Sequence, residues 1–165
     1  MKKIITICLL MATTVTVTAQ INFKDRNLAM LEKVAFTTSY KTVTAFMKDN
    51  NYSFQEENET ELNLPKNAYL EVVYVEFKGP AGNTIAIFYD KKDKSFLGVS
   101  NQIASINTVF CEIQLKEENF LIKEENEGGK AWSKSSYKYQ IITDKSDEKI
   151  HSLLFISPSH PEYIK

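Results

Sequence analysis

Between Tyr69 and Phe77 apolar side chains fill both alternating sets of positions: Leu70, Val72 and Tyr74 on one, Val73, Val75 and Phe77 on the other. A strand apolar on both faces is expected inside a sheet with cover on both sides. Gly79–Asn83 reads as a turn, Thr84–Tyr89 as the returning strand, and Ser95–Val99, beyond a Lys-rich turn, as a fourth strand. Upstream, Leu28, Leu31, Ala35, Phe36, Tyr40, Val43 and Met47 recur at helical spacing. They predict one helix from an Asp25 N-cap to about Lys48, weakened by Thr37, Thr38, Thr42 and Thr44. Tyr52 and Phe54 alternate with polar neighbours as a strand would, and Leu62–Asn67, around Pro65, reads as a loop.

The second half is less direct. Ile103, Ile106, Phe110 and Ile113 sit at helical spacing, yet Val109, Cys111, Ile113 and Leu115 alternate as in a strand. An internal repeat favours the helix. Lys48–Glu59 (KDNNYSFQEENE) returns 68 residues later as Lys116–Glu127 (KEENFLIKEENE), with six of twelve positions identical. Extended without a gap, the offset lays Tyr69 on Tyr137, Val73 on Ile141, and Ile85–Phe88 on Leu153–Ile156. If the first half has a helix before the motif, so should the second, over Ser105–Leu115. Phe120–Glu125 then reads as a strand, Gly128–Gly129 as a turn with Trp132 in the loop after it, and Tyr137–Thr143 and Ile150–Ser157 as a hairpin.

The expected fold is α+β: two tandem helix-then-three-strand repeats, 20–94 and 95–165. Together they form one antiparallel sheet in one domain, with the helices packed on one face. Either unit alone is too small to bury enough apolar surface. The build resembles that of tandem-repeat secreted inhibitors such as the β-lactamase inhibitory proteins. No motif is shared, and the resemblance carries over no residue.

Residues 1–19 have the make-up of a signal peptide: Lys2 and Lys3, an apolar Ile4–Val17, and small residues before Gln20. The expectation is an exported protein, periplasmic or extracellular, with no integral membrane segment once the leader is removed. Without Lys2 and Lys3 the chain carries 18 basic and 21 acidic residues, a balance that argues against nucleic-acid binding. Cys8 leaves with the leader, so Cys111 has no disulfide partner and is expected to be a buried apolar residue.

Chemistry is thin. No nucleophile elbow, phosphate loop or dinucleotide fingerprint is present, and the spacing of His151, His160 and Glu162 does not make a metal site. No cofactor and no catalytic residue is assigned. The acidic runs Glu56–Glu59 and Glu124–Glu127 lie among Lys and Asn and read as solvated surface. The aromatics are the better lead: Trp132, Tyr137, Tyr139, Tyr69 and Tyr74 are the candidate contact residues, with Trp132 as an exposed anchor. The functional expectation is a soluble, exported, non-catalytic binding protein acting on a protein partner. The alternatives are a carrier of a small apolar ligand between sheet and helices, or an enzyme of unfamiliar type using carboxylates or His151, for which His151, His160 and Glu57 are the residues to mutate.

Overall fold

A computed structural model describes residues 20–64, 68–145 and 147–164. The expected leader, residues 1–19, lies outside the described residues. The chain is an α+β fold with three helices and one eight-stranded antiparallel sheet. The helices are α1 (Arg26–Thr37), α2 (Val43–Asp49) and α3 (Ser105–Glu117). The strands are β1 (Ser53–Leu64), β2 (Ala68–Lys78), β3 (Thr84–Asp90), β4 (Phe96–Ala104), β5 (Leu121–Asn126), β6 (Gly129–Ser133), β7 (Gln140–Asp144) and β8 (Ile150–Ile156). They lie in the order β1-β2-β3-β4-β8-β7-β6-β5. The first four and the last four strands thus run in mirrored order outward from the central β4–β8 pair.

The expected helix over 25–48 is two helices. Asp25 caps α1, its side chain accepting from the N–H groups of Asn27 and Leu28. The helix stops at Thr37, where two hydroxyls turn back on the backbone: Thr37 Oγ1 donates to the Lys33 carbonyl and Thr38 Oγ1 to that of Val34. Thr38 is extended, and the chain re-enters helix at Val43. β-Branched residues with competing hydroxyls weaken a helix in this way.

Helices α2 and α3 end alike. Asn51 and Asn119 have φ of 64° and 61°. The next N–H, of Tyr52 or Phe120, bonds the carbonyl five residues back, Met47 or Leu115, at 2.9 Å in both cases. Asn tolerates the left-handed conformation that this cap needs. The edge strands that follow share a bulge, at Gln55 between Phe54 and Glu56 and at Lys123 between Ile122 and Glu124. Caps and bulges keep the 68-residue offset read from the sequence.

Beyond the bulges the offset fails. Strand β2 has 11 residues and β6 only 5, so an ungapped comparison slides β3 onto β8 instead of β7. Two further expectations are corrected. Each half has four strands, not three, because Phe96–Ala104 joins β1–β3 as strand β4 and Gly129–Ser133 is strand β6. The 94/95 boundary also falls just before β4, which pairs with β3 on one side and β8 on the other. Strand β1 runs on to Leu64, past the expected start of the loop.

The core lies between the sheet and the helices. Val73, Val75, Phe77, Ile85, Ile87, Val99, Ile141, Leu153 and Phe155 meet Leu28, Leu31, Val34, Met47 and Leu115. Helix α1 crosses the central strands β4 and β8, and α3 lies against the same pair. The other face has no helix over it among the described residues. There the C-terminal segment folds back: Ile164 N–H donates to Gln140 Oε1 at 2.9 Å, and the Gln140 amide donates to the Ile164 carbonyl. The expected cover on both sides of β2 is therefore a helical layer on one side only; on the other, Val72 is buried and Leu70 and Tyr74 are half-buried.

Candidate binding surfaces

Helix α3 buries a mixed face, with Cys111 and Leu115 in the apolar core, and turns an apolar face to solvent. Its inward positions are Thr108, Cys111, Glu112, Gln114 and Leu115. Its outward positions include Ile106, Val109, Phe110 and Ile113, which are 48–62% exposed. That i, i+3, i+4, i+7 spacing forms one continuous stripe. The repeat correctly placed a helix here, but Ile106, Phe110 and Ile113, which carried its period, face solvent.

Burying a polar helix face is unfavourable unless each group is paired, and here each is. Thr108 Oγ1 lies 2.8 Å from His151 Nδ1, and Gln114 Oε1 accepts from the Asp25 N–H at 2.7 Å. The Cys111 thiol donates to Asp25 Oδ1 at 3.4 Å. Burial, with Asp25 beside it, pushes that thiol well above its ordinary pKa, so it is protonated and unreactive. Glu112 bonds Lys130 at 3.0 Å and Lys145 at 2.6 Å, and accepts from Thr143 Oγ1. Burial raises the Glu112 carboxyl, but the hydrogen bonds from Lys145 and Lys130 outweigh it and hold the group below the usual carboxylate range.

The aromatic candidates separate into interior and surface. Trp132 is on β6, not in a loop, and is 1% exposed; its indole N–H donates to Thr143 Oγ1. Tyr137 and Tyr139 are also buried, their hydroxyls donating to Glu32 and to the Ala35 carbonyl. They belong to a continuous aromatic cluster with Phe23, Phe36, Phe120 and Phe155. Trp132, Tyr137 and Tyr139 therefore present no ring to a partner, which corrects the exposed-anchor expectation for Trp132. Tyr69 is exposed on β2. Tyr74 is half-buried, its hydroxyl donating to Glu56 at 3.0 Å. No sequence signal marked the direction of the α3 stripe: the period shows that Ile106, Val109, Phe110 and Ile113 share a face, and only the partners on other elements turn that face outward.

The residues considered for catalysis do not converge. His151 begins β8 and His160 lies past its other end, while Glu57, on edge strand β1, accepts from the Tyr40 hydroxyl at 2.6 Å. Burial depresses the pKa of His160, whose Nδ1 accepts from the Glu162 N–H. No group of three or more His, Cys, Asp or Glu that could hold a metal ion occurs among the described residues. Both acidic runs lie on exposed edge strands, where charge discourages edge-to-edge pairing.

A cleft of about 1060 Å³ opens at one end of the sheet, where the start of α1, the β2–β3 turn and the β4–α3 junction meet. Its lining is rich in side-chain amides, among them Asn27, Asn83 and Asn101. No helix of the described residues is long and apolar enough to cross a membrane. Comparison with known proteins finds no protein family, no curated protein and no solved structure that the chain matches.

Proposed function

We propose that this chain is an exported, non-catalytic binding protein that presents the outer face of α3 to a protein partner. One observation carries this reading: Ile106, Val109, Phe110 and Ile113 form an uncharged apolar stripe turned to solvent. Exposed apolar patches of this kind mark interaction surfaces. Their spacing is that of a helix seated in an apolar groove, so the partner is a protein offering such a groove. Export rests on the composition of residues 1–19. An apolar-ligand carrier is less well supported, because the large cleft, though partly lined by Met30, Ile103 and Ile150, also carries amides and cations that an apolar ligand would leave unpaired.

The test is affinity capture from envelope and medium with the wild-type chain beside a Phe110→Asp/Ile113→Asp double variant. The expected result is a protein retained by the wild type and lost by the variant, with an unchanged melting temperature. Equal retention by both would overturn the role of α3. Sedimentation of the two chains alone distinguishes a second copy as the partner. N-terminal sequencing of the exported protein is expected to begin at Gln20.

A further inference from the structure

The cleft at the start of α1 contains a residue that packing alone does not explain. Asn101 lies on the helix-covered side of β4, 1% exposed. Its neighbours on that side are Val99 and Ile103 along the strand, and Ile85 and Leu153 across it, all buried and apolar. A Val would fit such surroundings, and an amide there is unfavourable unless paired. It is paired at both ends: Asn101 Oδ1 accepts from Asn83 Nδ2 at 2.9 Å, and Asn101 Nδ2 donates to Asn27 Oδ1 at 3.3 Å. Asn83 Nδ2 also lies 3.3 Å from the Tyr52 hydroxyl. Four segments thus contribute to one polar floor: the start of α1, the α2–β1 junction, the β2–β3 turn and β4.

The rim of the same cleft holds Arg26, Lys33 and Lys149, all exposed. The acid beside them, Asp25, uses Oδ1 to cap α1 and to accept from Cys111. Cations around a hydrogen-bonded polar floor favour a ligand that is both anionic and rich in hydroxyls.

We propose that this cleft is a second binding site, distinct from the α3 stripe, for an acidic sugar, with Arg26 and Lys149 meeting the anionic group and the amide floor meeting the hydroxyls. A sugar carboxylate and a sugar phosphate share this chemistry, so both are tried. The experiment follows backbone amide resonances of the leader-free chain during separate titrations with D-glucuronate, glucose 6-phosphate, glucose and inorganic phosphate. At least one acidic sugar is expected to shift the signals of Asn27, Asn83, Asn101 and Lys149, with a dissociation constant of roughly millimolar order. Glucose and inorganic phosphate alone should bind at least about tenfold more weakly, since each lacks half of the recognised chemistry. Arg26→Glu/Lys149→Glu, at exposed positions, is expected to weaken binding by about tenfold or more while the melting temperature stays unchanged. Asn101→Val should also weaken it, and a folded variant with full affinity would remove the floor from the site. The proposal is overturned if neither acidic sugar moves these resonances, if inorganic phosphate binds as well as they do, or if the charge-reversed variant binds equally.

Discussion

Glu32 joins three separate segments of this molecule. It lies on the buried side of α1 and accepts from the N–H groups of Ile21 and Asn22, at 2.6 and 2.8 Å, and from the Tyr137 hydroxyl at 3.1 Å. It ties the N-terminal segment and the second half to the first helix. Glu32→Ala leaves those donors unpaired and is expected to cost about 2–4 kcal/mol in urea denaturation, with faster tryptic cleavage after Lys24 and Arg26. His160 and Glu112 both contribute to the response to acid. The folded pKa of His160 is depressed from 6.5 by burial, and its Nδ1 accepts only while the ring is neutral. Its contribution to stability is present above about pH 6.5 and is lost as pH falls through the lower folded value. Glu112 is depressed below 4.5, so its contribution is present above that pH and is lost as pH falls further. Melting temperature should therefore begin to decline as pH falls through the lowered His160 value, before the carboxylates titrate, and His160→Gln should abolish that early decline.

Among the elements, the ends of α2 and α3 give the sharpest expectation. Asn51 and Asn119 occupy the same left-handed position after their helices. Asn→Ala at either is expected to cost about 1 kcal/mol, and Asn→Gly close to nothing, as read by thermal or urea unfolding. Unequal effects would mean that the two caps are not equivalent. The identity of these two asparagines was legible in the sequence, and the φ value is its physical reason. The face of α3 was not legible. A period of apolar residues defines a stripe but not its direction, and α3 turns inward because Asp25, Lys130, Thr143, Lys145 and His151 supply partners from other elements. Trp132 was misplaced for a related reason: β6 is only five residues long, and its strand character comes from pairing with β5 and β7.

In the whole molecule the halves share one core. Helix α1, from the first half, lies over β8 as well as β4, and the hydroxyls of Tyr137 and Tyr139 bond to Glu32 and to the Ala35 carbonyl. A chain so joined is expected to unfold in one cooperative transition. A fragment of residues 20–104 would expose the flank of β4 and the underside of α1, and is expected to remain unfolded by circular dichroism. An independently folded fragment would contradict the shared core.

The sequence by itself determined the class of fold, the matching asparagines at the ends of α2 and α3, the solvation of the acidic runs and the burial of Cys111, because each follows from local residue chemistry or from a pattern repeated at a fixed offset. Only the tertiary structure decided that Thr37 and Thr38 break the first helix, that α3 shows its apolar side to solvent, and that four segments bring their polar groups to one cleft. Those outcomes depend on which partners arrive from distant parts of the chain, and a linear pattern does not record them.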